Sequence, residues 1–243
     1  MNCKQAHISE SLSGLITGFR KKYNLTTYKD SLQPCTFIGM YRDRDYDAYV
    51  NHKAYKEIIF TGSDGLGINK EWVKQLKKAD KIYSISQQIQ NSLLINRIKS
   101  ILKPFNPTIL DQWKPCPNGN SIYWYYGKGA EDFYGAELIK EIESKISIPI
   151  IKANYKTFKK SDLYKIYQDC FINLRLTPHD GCPNTNLQMG LMGRKSVYNG
   201  DLPHSMRWES VNDIINAIES AYETRHEDNS IIANDFYNFV KNN

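Results

Sequence analysis

Short apolar runs alternate with amphipathic stretches along this chain, and the alternation restricts the fold more than any other feature of the sequence. Each run has the length of a buried strand, and several end in glycine or acidic residues that indicate a loop. The stretches between the runs place apolar residues three and four positions apart, as on one helix face. This order predicts an α/β fold with parallel sheets flanked by helices. The runs lie at residues 35–41, 57–65, 81–88, 121–127, 147–153, 171–177 and 195–200, the last being predicted as the final strand.

A proline-rich stretch at residues 103–120 interrupts the alternation and resembles a linker. At 243 residues the chain is long enough for one large domain or two modest ones. We therefore predict two Rossmann-like domains, residues 1–108 and residues 109–243, with the last helix a candidate to return to the first domain.

Composition indicates a folded protein that does not span a membrane. No run approaches the ~18 apolar residues of a membrane span. The five cysteines include no C-x-x-C pair, and the amino-terminal stretch lacks the layout of a signal peptide. We expect a cytoplasmic location, which for a viral chain would be the host cytoplasm. The formal net charge of +6 permits a polyanionic partner without requiring one.

Polar and glycine-containing loops follow several predicted strands. They read "YRDRD", "GSDG", "GKGAED" and "TPHDGCPNTN". Ligands of open parallel sheets bind where the carboxyl ends of the strands meet, and a cleft between two domains is a common binding place. We expect the active site in the cleft between the two domains.

The stretch "RLTPHDGCPNTNLQMGLMG" at residues 175–193 is the most informative of these loops. A helix predicted to begin near Asn184 would offer backbone N–H groups and a positive dipole end, which suit a diphosphate. Asp180 would accept hydrogen bonds from sugar hydroxyls, and Gln188 could reach a ribose. The alternative is structural, because an Asp or Asn before a helix is often an ordinary N-cap and His-Asp-Gly is a common turn.

The segment "HDGCPNTNLQMGLMGRKSV" resembles the signature of GT-B glycosyltransferases of the retaining group known as family 4. The stretches "KADKIYSISQQIQNSL" and "IIFTGSDG" also resemble parts of the family's first domain. The resemblance covers about residues 35–225 in order and is specific only around 175–200. It implies transfer of a hexose from a nucleoside-diphosphate sugar, UDP-glucose being the usual donor, with retention of configuration. The donor would be a co-substrate, and neither a further cofactor nor a metal ion is implied.

The same resemblance assigns roles to residues of the second half. Asp180 would contact the transferred sugar, while Lys128 and Arg175 would stabilise the leaving diphosphate together with the helix amino end. Gln188 stands where the family usually has an acidic residue that holds the ribose. The donor-binding residues implied are Gly127, His179, Gly181, Asn184, Thr185, Asn186 and Gln188.

Four residues of the first half are candidates for orienting the acceptor: Asp43, His52, Ser63 and Asp64. Each has a structural alternative; His52 lies in a helical segment where a surface position is expected, and Asp64 can simply shape its turn. The acceptor could be a glycan, a small molecule, or DNA carrying hydroxymethylated bases.

Two other readings stay open. "DRD" at residues 43–45 follows a predicted strand, and a D-x-D there is typical of metal-dependent GT-A glycosyltransferases. The glutamine at position 188 also fits a nucleotide-sugar or nucleic-acid binding module with weakened catalysis. A dehydrogenase is disfavoured, because no G-x-G-x-x-G follows a predicted strand.

Overall fold

The computed structural model describes residues 3–127, 129–154, 158–178 and 180–243. The chain divides into two compact units. The first comprises Met1–Ile109, Asp180–Cys182 and Asn243, and the second comprises Leu110–His179 and Pro183–Asn242. Each unit has its own parallel sheet with helices, so the predicted α/β architecture is confirmed.

The sheet of the first unit has six parallel strands. They are β1 (Gln5–Ile8), β2 (Thr26–Thr27), β3 (Cys35–Ile38), β4 (Lys56–Phe60), β5 (Lys81–Ser84) and β6 (Ile101–Leu102), in the order β2-β1-β3-β4-β5-β6. The helices are α1 (Ile16–Tyr23), α2 (Asp43–Asn51), α3 (Ser63–Leu66), α4 (Lys70–Leu76) and α5 (Gln87–Ile95), and a 3-10 segment spans Glu10–Leu15.

The apolar runs of the first half form the centre of this sheet. All of β3 is buried, as are the last four residues of β4, which is expected where helices cover both faces of a parallel sheet. Phe37, Ile58, Phe60 and Leu93 lie in the core of the unit. Loops at the carboxyl ends of β3 and β4 therefore start from fixed positions.

The sheet of the second unit has five parallel strands. They are β7 (Ser121–Tyr125), β8 (Ile150–Ala153), β9 (Cys170–Arg175), β10 (Lys195–Tyr198) and β11 (Ser205–Met206), in the order β11-β10-β9-β7-β8. The helices are α6 (Ala136–Lys145), α7 (Leu163–Gln168), α8 (Asn184–Leu191), α9 (Val211–Glu223) and α10 (Ser230–Asn242). Short 3-10 segments span Leu110–Gln112, Asp132–Tyr134 and Lys160–Asp162.

One detail of the second unit differs from the sequence prediction. The strand at residues 195–200 is not the last, because β11 pairs with β10 beyond it. Helix α7 begins without a side-chain cap, since its N-cap residue Asp162 makes no side-chain cap hydrogen bond. Ser161 donates its hydroxyl to Asp162 instead. No helix in the described ranges is both long and apolar enough to cross a membrane.

Arg194 is a fully buried cation in the second unit, between α8 and β10. Its guanidinium donates to six backbone carbonyls, and burial lowers its pKa. The interaction joins the chain segment before β7, the end of α7 and the turn after α8. The accepting carbonyls belong to Cys116, Pro117, Tyr167, Gln168, Cys170 and Met192.

Helices α8 and α10 approach closely at Gly190. A Cβ added to this glycine would overlap the ring of Phe236, which is fully buried. The missing side chain therefore fixes the distance between α8 and α10.

We expect Gly190→Ala to lower the free energy of unfolding by about 1–3 kcal/mol, because the added methyl group overpacks this contact. Helix propensity alone would change stability by roughly 1 kcal/mol in the opposite direction. Urea denaturation measures the difference. Gly14→Ala is the matched control, since a Cβ there has no neighbour within 4 Å. A Gly190→Ala protein as stable as the unaltered chain would contradict the packing described.

Candidate functional site

Helix α8 begins at Asn184, directly after the N-cap residue Pro183. Pro183 is extended, with φ −61° and ψ 120°, and makes no side-chain cap hydrogen bond. Asp180 is therefore not the N-cap, and the simple capping explanation of this loop is wrong. Asn184 and Thr185 are half-buried in the first helical turn. This turn follows the carboxyl-terminal side of β9, where ligands of parallel sheets bind.

Two of the predicted donor-binding residues point into the protein. Asn186 is fully buried and accepts a hydrogen bond from Asn173 Nδ2 at 2.8 Å. Gln188 is 5% exposed, and its Oε1 accepts from the Tyr167 hydroxyl at 3.2 Å. Tyr167 also forms a side-chain hydrogen bond with Thr185. The polar groups of α8 thus form an internal network, and contact of Asn186 and Gln188 with a donor stays a prediction.

Asp180 and Gly181 belong to the first unit. Asp180 Oδ1 accepts a hydrogen bond from Gly181 N at 2.8 Å, and the side chain is half-buried. A Cβ added to Gly181 would lie 3.3 Å from the carbonyl oxygen of Thr61, so the backbone passes close to the end of β4. The Asp180 charge contributes to raising the pKa of Tyr41, whose largest cause is burial. A sugar-binding role for Asp180 stays a prediction.

Arg175 ends β9 beside two aromatic rings. Its guanidinium carbon lies 4.7 Å from the ring centroid of Tyr134 and 5.8 Å from that of Tyr125. The Tyr134 ring also fills the space beside Gly127, where a Cβ would overlap it, and Gly127 has a φ of 51° that favours glycine. Tyr134 therefore positions both predicted donor-side residues, although no sequence pattern indicates this role. Lys128 and His179 lie outside the described residues.

A pocket of about 230 Å³ opens in the first unit beside the carboxyl ends of β3 and β4. Three of the predicted acceptor-side residues line it: Asp43, Ser63 and Asp64. The other lining residues are Met40, Tyr41, Arg42, Tyr46, Gly67, Asn69 and Trp72. The structure thus brings together residues from two separate loops and from α4.

Asp64 is a buried carboxylate that shapes this pocket. Its oxygens accept hydrogen bonds from the backbone N–H groups of Met40 (2.9 Å), Thr61 (3.1 Å) and Gly62 (2.7 Å). These bonds tie the loop after β3 to the loop after β4. Burial raises the pKa of Asp64 to about 6, and the three N–H donors oppose this shift.

The fourth predicted acceptor-side residue, His52, is separate from this pocket. It was expected at the surface but is 3% exposed, at the C-cap of α2. Its ring packs on Phe37 and Tyr28, and its Nε2 lies 3.2 Å from the carbonyl oxygen of Tyr55, which precedes β4. Burial lowers the pKa of His52. The surface prediction failed because α2 ends against the aromatic core.

The two acidic side chains of the D-x-D motif have different surroundings. Asp43 is exposed, whereas Asp45 is fully buried and accepts from Ser9 Oγ (2.7 Å) and from the backbone N–H of Tyr41 and Arg42. Asp45 also lies 2.8 Å from His7 Nε2. These interactions engage the Asp45 carboxylate inside the unit. The motif therefore stabilises the start of α2 and does not present a pair of carboxylates to a metal ion.

Comparison with solved structures identifies the fold of this chain. Sucrose-phosphate synthase from Thermosynechococcus elongatus matches with a TM-score of 0.58 and 10% identity, over 93% of this chain and 71% of the other. The apo form of the lipopolysaccharide outer core galactosyltransferase WaaB matches with a TM-score of 0.58 and 11% identity, over 93% and 75%. A mutant of S. aureus TarM, in complex with fondaparinux, alpha-GlcNAc-glycerol and UDP, matches with a TM-score of 0.55 and 10% identity.

The TarM match covers 86% of this chain and 51% of the other, so this chain spans about half the length of that protein. No family model matches the sequence, and no curated protein matches it either. At identities this low the likeness shows the fold alone. The chain has the two-domain GT-B fold, as its resemblance to that class of glycosyltransferases predicts.

Proposed function

We propose that this protein is a glycosyltransferase that moves a hexose from a nucleoside-diphosphate sugar, with UDP-glucose as the model donor, to a hydroxyl acceptor with retention of configuration. The observation that carries the proposal is the amino end of α8, which follows a parallel strand of a GT-B fold and is preceded by Asp180 rather than capped by it. The TarM neighbour, whose structure contains UDP, supports a nucleotide donor.

The proposed mechanism gives each donor-side group one task. The first turn of α8, with Asn184 and Thr185, binds the diphosphate through N–H and side-chain groups. Asp180 accepts hydrogen bonds from the hexose hydroxyls. Arg175, held beside Tyr134, and Lys128 supply positive charge as the diphosphate leaves. The leaving diphosphate takes the proton of the acceptor hydroxyl, so neither a protein nucleophile nor a metal ion is assigned a step.

Thermal unfolding with a panel of nucleotides and nucleotide sugars tests the donor class. We expect one UDP- or GDP-linked hexose to raise the melting temperature more than its nucleoside monophosphate does. A ligand at a hundred times its Kd stabilises the folded state by about 2.7 kcal/mol. Equal shifts with every nucleotide, or a shift with none, would contradict the proposal.

A binding module without efficient catalysis is the second candidate, and the position of Gln188 favours it. Its side-chain carbonyl is already bonded to Tyr167 inside the protein, so binding a ribose there requires rearrangement. Hydrolysis of the donor sugar without an acceptor separates the two candidates. Release of free hexose at a rate proportional to enzyme concentration supports the transferase, whereas donor binding without hydrolysis or transfer supports the module.

A further inference from the structure

We propose that the pocket of the first unit binds the acceptor and that this acceptor is a neutral saccharide, bound through one sugar ring against Trp72. The role as acceptor rests on the proposed function, but saccharide binding itself does not. The pocket is lined by α2, α3, α4 and the loops that precede them.

The pocket has an aromatic wall with a fixed orientation. The rings of Tyr46 and Trp72 stack with centroids 4.4 Å apart and planes inclined by 22°. Tyr46 is 6% exposed, so its buried ring limits the movement of the half-buried Trp72 that stacks on it. The negative face of an aromatic ring attracts the weakly positive C–H groups on one side of a sugar ring. A braced indole at a pocket wall therefore suits a pyranose.

Hydrogen-bonding groups surround this aromatic wall. Asp43 is an exposed carboxylate in the first turn of α2, and Ser63 and Asn69 contribute a hydroxyl and an amide to the lining. Carboxylates accept from hydroxyl groups, and serine and asparagine can both donate and accept. A ligand with several hydroxyl groups can use all three residues.

The charges of the pocket disfavour a phosphorylated acceptor. Arg42 is the one basic residue among the described residues of the lining, and it is engaged by Glu10 at 3.3 Å and by the Ser11 hydroxyl at 3.2 Å. Two carboxylates, Asp43 and Asp64, oppose it. A phosphate would meet net repulsion here, which argues against nucleic acid as the ligand of this pocket.

The size of the pocket limits the ligand to about one ring. Its volume of about 230 Å³ lies below the roughly 300–1,000 Å³ of pockets that bind drug-sized ligands. A single monosaccharide unit, free or at the end of a longer glycan, fits a pocket of this volume better than a dinucleotide does.

Asp180 connects this pocket to the proposed chemistry. The hydroxyl of Tyr41, a lining residue, lies 3.0 Å from Thr61 Oγ1, and a Cβ added to Gly181, the residue after Asp180, would lie 3.3 Å from the Thr61 carbonyl oxygen. Asp180 is therefore near the ring that borders the pocket.

Ligand-observed NMR on the protein without donor tests the pocket directly. The probes are methyl hexopyranosides and disaccharides, with glucose 6-phosphate and a mononucleotide as charged comparisons. We expect saccharide binding that weakens at least tenfold in Asp43→Asn and in Trp72→Ala, with glucose 6-phosphate binding more weakly than the neutral probes. Mononucleotide binding, which belongs to the proposed donor site, should be the same in both variants as in the unaltered protein. Asp47→Asn is the matched control, because Asp47 is exposed on the same helix but is absent from the lining.

The possible outcomes test the saccharide pocket and the proposed function separately. No saccharide binding, or equal binding by Asp43→Asn and the unaltered protein, overturns the saccharide pocket. Mononucleotide binding that weakens in Asp43→Asn and in Trp72→Ala overturns it in favour of nucleic acid. Asp43→Asn keeps the test valid if Trp72→Ala fails to fold. The rise in melting temperature on adding donor sugar, measured on the same variants, tests the proposed function separately. It should be the same in Asp43→Asn as in the unaltered protein. If donor sugar does not stabilise the unaltered protein, the proposed function is contradicted and the saccharide pocket is not.

Discussion

Arg194→Met is expected to lower the free energy of unfolding of the second unit by about 4 kcal/mol, the largest stability loss we anticipate for a single substitution. The guanidinium is fully buried and serves carbonyl groups from three separate segments. Methionine fills a similar volume but donates no hydrogen bond. Each buried carbonyl left without a donor costs about 1–3 kcal/mol, and removing the buried charge offsets part of the total.

Urea denaturation followed by tryptophan fluorescence measures this loss. Arg207→Met is the matched control, since Arg207 forms an exposed ion pair with Asp201 and its removal should leave stability unchanged. Arg194→Lys should fall between the two, because lysine keeps the charge but not the planar arrangement of donors. Equal stability of Arg194→Met and Arg207→Met would show that the buried guanidinium is dispensable.

Asp180→Ala is expected to reduce the rate of hexose transfer by about 100-fold or more, if the proposed function holds. Loss of one charge-assisted contact to a transition state typically costs about 10²–10³ in rate. The fold should persist, because the Asp180 side chain is half-buried in a loop and does not cap α8, whose N-cap is Pro183. Initial rates with a UDP-hexose donor and melting temperature are measured on the same samples.

The Asp180→Asn variant tests whether transfer depends on the negative charge of Asp180 or only on the shape of its side chain. Asparagine can still accept the hydrogen bond from Gly181 N, so the loop keeps its local geometry while the negative charge is lost. We expect a loss of transfer between that of Asp180→Ala and the unaltered protein. Asp201→Asn, at an exposed ion pair, serves as the control with full activity. Full transfer by Asp180→Ala would remove Asp180 from the site.

The long apolar runs were predictable, whereas the shortest strands were not. Runs such as 35–41 and 171–177 carry a strand signal because both faces of a central parallel strand are apolar. Strands β2, β6 and β11 have two residues each, too few to show any periodicity. Strand β1, with the sequence QAHI, mixes polar and apolar residues and gave no signal either.

The parts of the candidate site that follow from sheet topology were predictable from the sequence, whereas the side-chain orientations that depend on burial were not. Asp43, Ser63 and Asp64 come together because the carboxyl ends of adjacent parallel strands meet at one edge. Helix α8 is buried from Asn186 to Leu191, so helical periodicity could not reveal that Gln188 faces inward. A wholly buried arginine such as Arg194 is rare enough that sequence alone assigns it to the surface.

The close packing at Gly190 matters for engineering the proposed donor site. Because α8 is held against Phe236 at that glycine, its backbone has little room to shift when residues in its first turn change. Libraries randomised at Asn184 and Thr185 should therefore alter ligand contacts directly while the scaffold stays in register. Substitutions at position 190 would instead give destabilised variants.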